Sequence, residues 1–220
     1  MGGFKNSLLN AVFKKNLFDI TIRALINGCS SMVDDCKKNH KLLPNHEEKI
    51  RNHLIENYLN DMDKRKSLGL GKFPVRFISE VLEGYDESTH TYSGRTDIRV
   101  VSNNWFNNSD DYYTVECKRL DGSNKLNKKY VIEGVCRFAI DPPKYPSHNK
   151  KNIMLGFIVK RINESILLSK INGIHNAVLS SRKIGEISYV DLGTDYKICE
   201  SAYIDGLQIS HIFYDISTVI

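Results

Sequence analysis

The sequence predicts an α/β protein in which one mixed β-sheet is flanked by helices, with a helical N-terminal extension and a C-terminal helix plus β-hairpin. Three observations lead there. Apolar positions recur at helical spacing up to residue 60. Residues 74–118 then switch to short segments rich in β-branched and aromatic side chains. Finally, a second helical segment separates those strands from an uninterrupted apolar run, IMLGFIV, at 153–159, and a helix crossing between two strands brings them parallel.

Taken in order, residues 4–18 and 20–38 carry apolar side chains at helical spacing (Leu8, Val12; Ile22, Leu25, Ile26, Met32) and read as two helical segments of an extension, residues 1–44. After the break LLPNH, Ile50, Leu54 and Tyr58 recur every four residues, with Asn45 placed as N-cap of an amphipathic helix. Segments 74–83, 96–101 and 112–118 form a three-strand meander, the last two joined by the turn-forming run SNNWFNNSDD. Helical spacing returns at 127–140 through Val131, Val135 and Phe138, and DPPKYPSHNKK stops it. The run at 153–159 fits a strand buried on both faces. A helix at 164–182 aligns Leu167, Ile171, Ile174 and Val178, and the tail reads as a hairpin, KICESAYI and LQISHIFYDIS, turning at Asp205–Gly206. The implied division is the extension, a core at 45–160, and a C-terminal helix and hairpin packed on it at 161–220.

With 220 residues, 41% of them hydrophobic, the chain can bury one sizeable core, and its length favours one domain with additions. No run of 18 apolar residues and no signal-like N-terminus is present, which predicts a cytoplasmic protein without a membrane partner. Five cysteines with no CxxC pair predict reduced core thiols rather than a disulfide framework or a zinc knuckle. The net charge of +5 is unevenly placed, because residues 116–161 hold eleven Lys and Arg against four acids. That segment predicts a polyanionic partner, with Lys125, Lys128, Lys129, Lys144, Lys150 and Lys151 as phosphate contacts.

The strand YYTVECKRL (112–120) carries a carboxylate and an ammonium within an apolar run, where charges need a partner, a metal or a task. Alternation puts Thr114, Glu116 and Lys118 on one face, and in TDIRVV it puts Asp97 with Arg99 and Val101. If these strands pair, Asp97 sits beside Glu116, giving two carboxylates and one lysine on one patch. Carboxylates in contact repel unless a cation lies between them, and Mg²⁺ suits an open site with few protein carboxylates. A lysine beside it can orient or help deprotonate water, which points to metal-assisted phosphodiester hydrolysis. Three further (Asp/Glu)-x-Lys triplets occur, at Asp35–Lys37, Glu47–Lys49 and Asp195–Lys197. The first two lie on helices, where residues two apart do not face each other, and Asp195 has neither an apolar run before it nor an acidic strand partner.

This order of elements, with an acid on the second strand and Glu-x-Lys ending the third, resembles the PD-(D/E)XK nuclease superfamily and its restriction-endonuclease-like fold over residues 45–160. The resemblance implies that Asp97 and Glu116 hold a metal, Lys118 acts beside them, and Glu47 in NHEEKI matches the acid often found on the first helix. Thr96 stands where the name-giving proline would be, and the Gln-x-x-x-Tyr pattern of RecB-like exonucleases is missing. The resemblance further implies an endonuclease using Mg²⁺, with Mn²⁺ as a substitute, in a restriction or antiviral-defence setting. DNA is the implied partner, RNA the alternative, and a homodimer is compatible with it. A non-cleaving nucleic-acid-binding or interaction module on the same fold is the second reading. Other chemistries lack their motifs: His40, His46 and His53 have no ligand-like spacing, Gly69-Leu-Gly71 lacks a phosphate-loop continuation, no G-x-S-x-G occurs, and His211 reads as structural.

Overall fold

Seven strands form one mixed sheet with helices on both faces in the computed structural model, which describes residues 7–71, 73–102, 110–147, 149–191 and 197–220, and side chains from residue 16 onward. β1 (Val75–Asp86), β2 (Thr91–Ser102) and β3 (Tyr112–Leu120) make an antiparallel meander. Most of the expected connection SNNWFNNSDD, residues 103–109, lies outside the described residues. β4 (Lys151–Ile158) and β7 (Gln208–Asp215) continue the sheet in parallel with β3. β6 (Ile198–Ala202) and β5 (Ser188–Val190) close the far edge antiparallel, giving the order β1-β2-β3-β4-β7-β6-β5. The C-terminal hairpin is thus part of the sheet, with β7 seated beside β4.

Alternation along the central strands decides what each face buries. Val115, Cys117, Ile153, Leu155 and Phe157 turn to one face, where α1 (Ser7–Lys38), α2 (Glu47–Leu54) and the π-helical turn Ile55–Leu59 cover them. Met154 and Ile158 turn to the other, under α3 (Asn124–Tyr130), a second π-helical turn (Val131–Val135), α4 (Cys136–Ala139) and α5 (Glu164–Leu179). Ser123 and Asn163 cap α3 and α5 by accepting the N–H of Leu126 and Ile166. All five cysteines are buried and free. Among the described residues no helix is long and apolar enough to cross a membrane.

Three expectations about local structure change. The two N-terminal segments are one continuous helix of 32 residues, since nothing in Phe18-Asp19-Ile20 breaks it. Asn45 does not cap α2. His46 holds that position without a side-chain bond, because the Asn45 carbonyl and Oδ1 both accept from Arg119 Nη1 at 2.6 Å. On α5 the buried line is Leu167, Ile171, His175 and Leu179, while Val178 is 45% exposed. Hydrophobic spacing missed it because the buried side is partly polar: Asn172 exchanges two bonds with the backbone of Ile187, both 2.9 Å, and His175 Nε2 meets Tyr203 Oη at 2.9 Å.

His211 lies in the same buried network, between Tyr130 Oη at 2.9 Å and Ser201 Oγ at 2.8 Å. Burial pushes His211 down to about 3 and His175 down to about 4. In the unfolded chain each takes its proton near an ordinary pKa of about 6.5. Their contribution to stability is therefore complete above that value and withdrawn as pH falls through the window, by about 1.4 kcal/mol per pH unit for each histidine. Ring resonances of His175 and His211 are expected not to move between about pH 8 and about pH 5. A midpoint near the ordinary value in either would show that its ring is solvated.

Candidate active site

The site begins where the sheet opens. The β2–β3 ladder runs from Val101–Tyr112 to Ile98–Val115 and then stops. Asp97 and Glu116 come next in the same register, but the strands diverge there, and Asp97 Oδ2 accepts the N–H of Cys117 at 2.7 Å. On its other side β2 is also released: Ser79–Ile98 and Val81–Thr96 pair, while Glu80 between them has a φ of 56°. A non-glycine residue in this left-handed region costs on the order of 1 kcal/mol, so something must hold it. Glu80 Oε1 accepts from Arg51 Nη2 at 2.8 Å and Oε2 from Arg95 Nη1 at 3.2 Å.

Four elements converge on this opening. Lys118 Nζ lies 2.8 Å from Glu116 Oε1, 3.1 Å from Glu47 Oε1 and 3.7 Å from Asp97 Oδ2, and donates to the Cys117 carbonyl at 2.7 Å. Glu116 is fully buried, and its Oε1 also accepts from Arg137 Nη1 at 2.7 Å. Its Oε2 is buried with no partner. Glu47, at the first turn of α2, uses Oε2 to accept the N–H of Arg119 at 3.0 Å. One helical turn later Arg51, buried, reaches Asp97 Oδ1 through Nη1 at 2.6 Å. Tyr145 closes the wall, donating to the Arg95 carbonyl at 2.7 Å and accepting from Arg137. Glu47, Arg51, Asp97, Lys118, Arg137 and Tyr145 line an open cavity of about 480 Å³, and Glu116 lies buried directly beneath Lys118 and Arg137.

Electrostatics assign states to the two central groups. Burial, reinforced by Asp97, pushes the Glu116 carboxyl up to about 7 against the pull of Lys118 and Arg137. Burial alone would lower Lys118, but Glu116, Asp97 and Glu47 outweigh it and raise its pKa. Lys118 is therefore an ammonium at neutral pH. It donates hydrogen bonds in this arrangement, which suits the orienting of water.

The structure brings Asp97, Glu116, Lys118 and Glu47 together, with Lys129 and Lys144 on the same cavity wall. Glu47 is half-buried and paired with Lys118 and the Arg119 N–H. Lys125 lines an adjoining cavity, and Lys128 is exposed on α3. Lys150 and Lys151 are not brought to the site. They stand at the start of β4, whereas Lys118 pairs with Gly156, five residues further along at roughly 3.3 Å each. There Lys151 Nζ sits 5.1 Å over the Phe18 ring and Lys150 Nζ lies 3.9 Å from Asp205. Asp195 of the third triplet falls outside the described residues. Sequence reasoning missed Arg51, Glu80, Arg95, Arg137 and Tyr145. Arg51 was findable, since it follows Glu47 by four residues on one helix face. The others come from distant segments and left no local signal.

Among the described residues no group of three or more His, Cys, Asp and Glu side chains is assembled as a metal cage. Mg²⁺ asks for less, since one or two carboxylates suffice and water completes its shell. Asp97 and Glu116 supply oxygen donors without thiol or imidazole, and the partnerless Glu116 Oε2 is an acceptor that a hard cation would satisfy. The donor set fits Mg²⁺ or Mn²⁺ better than zinc. No family model, curated protein or solved structure matches this chain.

Proposed function

We propose that this cavity is the active site of a Mg²⁺-dependent endonuclease that hydrolyses phosphodiester bonds of DNA, on a core similar to that of the PD-(D/E)XK nucleases. What carries the reading is one observation: three carboxylates from three elements lie within 3.7 Å of one buried ammonium, beside a carboxylate oxygen that has no partner. A binder of phosphates has no use for that concentration of acid facing its ligand. The order of strands and helices around it, an antiparallel meander and then a helix leading to a parallel strand, is consistent with the same reading.

Asp97 and Glu116 would hold the ion, with Glu47 acting through its water shell. When bound, the ion supplies positive charge to a phosphoryl oxygen and makes water more acidic. The chain's own groups do the rest. Lys118, kept cationic by its carboxylates, orients the attacking water and donates hydrogen bonds to the phosphoryl oxygens as negative charge builds on them. Arg51 and Arg137 hold the two carboxylates by hydrogen bonds, so their oxygens need little reorganisation. Lys129 and Lys144, exposed on the rim, are placed to meet phosphates.

Incubating the protein with supercoiled plasmid tests this directly. Nicking or linearisation with Mg²⁺ and none with EDTA is expected. A plasmid that is bound but stays intact with both Mg²⁺ and Mn²⁺ would leave only the non-cleaving module. The helix acid gives a finer check. Glu47→Gln is expected to lower cleavage about tenfold and raise the Mg²⁺ requirement, as loss of an outer ligand typically does. Glu48→Gln and Glu56→Gln, both exposed, should be near neutral in the same Mg²⁺ titration. The reverse ranking would show that the wrong acid has been chosen.

A further inference from the structure

A second cavity, of about 470 Å³, opens beyond Arg119 and shares Arg119, Leu126 and Lys129 with the first. Its walls are the carboxyl ends of the parallel strands β3 and β4, held together by the bond from Val159 N–H to the Leu120 carbonyl at 2.8 Å, and the first turn of α3. Ends of parallel strands are where open α/β sheets usually take ligands. Four cations line it, Arg119, Lys125, Lys129 and Lys160, against one acid, Asp121. Asp121 is already engaged, its Oδ1 accepting the N–H of Ser123 at 2.8 Å. Arg119 is held in place by two bonds to Asn45, whereas Lys125 and Lys160 have no hydrogen-bond or ion-pair partner among the described residues. Lys129 has only an exposed pair with Glu133 at 3.8 Å.

Acids and basic side chains interleave on the walls of the first cavity, whereas the second carries cations with few partners, so it is the more uniformly basic part of a groove the two share. A polyanion meets five acids on the walls of the first cavity and at the second only Asp121, which is already hydrogen-bonded. We infer that the second cavity binds the phosphates of a nucleic-acid strand that flank the one held at the carboxylates, with Arg119, Lys125 and Lys160 as the contacts. This rests on the reading of the first cavity for where the strand runs. It also separates Lys125 from Lys150 and Lys151, which share its segment of sequence but stand at the opposite end of β4.

The test is fluorescence anisotropy of a labelled duplex oligonucleotide in EDTA across a salt series, with the full chain. The double variant Lys125→Ala/Lys160→Ala is compared with Lys150→Ala/Lys151→Ala. The first is expected to weaken binding about tenfold or more and to lower the slope of log affinity against log salt by about 1.8, near 0.9 per lost phosphate contact. The second should leave the slope in place. Equal effects of the two pairs, or an unchanged slope for the first, would overturn the assignment. Polyglutamate, which carries charge without phosphate, should compete at least about tenfold less well than unlabelled DNA, and equal competition would also overturn it. Hydrolysis of bis(4-nitrophenyl) phosphate by the unaltered protein with Mg²⁺ reports on the carboxylate site alone. No hydrolysis beside the expected change of slope removes the catalytic reading and leaves the second cavity assigned. Hydrolysis beside an unchanged slope does the opposite.

Discussion

Lys118→Met is expected to lower DNA cleavage on the order of a hundredfold or more, and Asp97→Asn and Glu116→Gln to do the same, because in the proposed reaction all three act on one transition state. Combining Lys118→Met with Glu116→Gln should cost little beyond either change alone, since groups that work as a unit are not additive. Stability supplies a readout that does not depend on cleavage. Without the ammonium, Glu116, Asp97 and Glu47 keep Arg51 and Arg137 as their remaining charged partners, so the melting temperature should fall. Added Mg²⁺ should recover part of that loss in Lys118→Met, because an ion that binds only the folded chain shifts the equilibrium toward it. Cleavage by Lys118→Met at the parental rate would remove Lys118 from the site.

The second large effect is expected at Arg51, which holds two carboxylates of the site. Arg51 is 3% exposed and spans two carboxylates, Asp97 at 2.6 Å and Glu80 at 2.8 Å. Arg51→Met should destabilise the protein by about 2–3 kcal/mol. That is somewhat below the cost of breaking a fully buried pair, because Asp97 and Glu80 keep some contact with water. Urea unfolding should show it as a lower midpoint at an unchanged slope. Arg51→Lys is expected to recover little, since an ammonium cannot replace the planar fork that meets both acids at once. The released Glu80 would also lose part of what holds its φ of 56°, so cleavage should fall with stability. An Arg51→Met midpoint equal to the parental one would mean that the bridge contributes nothing to the fold.

Local periodicity gives the α/β class, six of the seven strands and the strand face on which Glu116 and Lys118 lie, but neither β5 nor the continuity of α1. Period-two alternation put Glu116 and Lys118 together and set them apart from Val115 and Cys117, and the four-residue spacing of Ile50, Leu54 and Tyr58 turned α2 toward the sheet. The α/β class followed from the same local signals. Tertiary structure alone decided where the sheet comes apart. Nothing local in TDIRVV or YYTVECKRL says that pairing ends at Ile98–Val115, that Glu80 leaves the ladder opposite Asp97, or that Arg137 and Tyr145 arrive from another layer. It also decided that β7 lies beside β4, and that Lys125 and Lys151 stand at opposite ends of a strand despite their nearness in sequence. The physical reason is that periodicity reports each residue's direction relative to its own element. Which elements become neighbours, and where their pairing stops, depends on contacts between residues far apart in the chain, and no single segment records them.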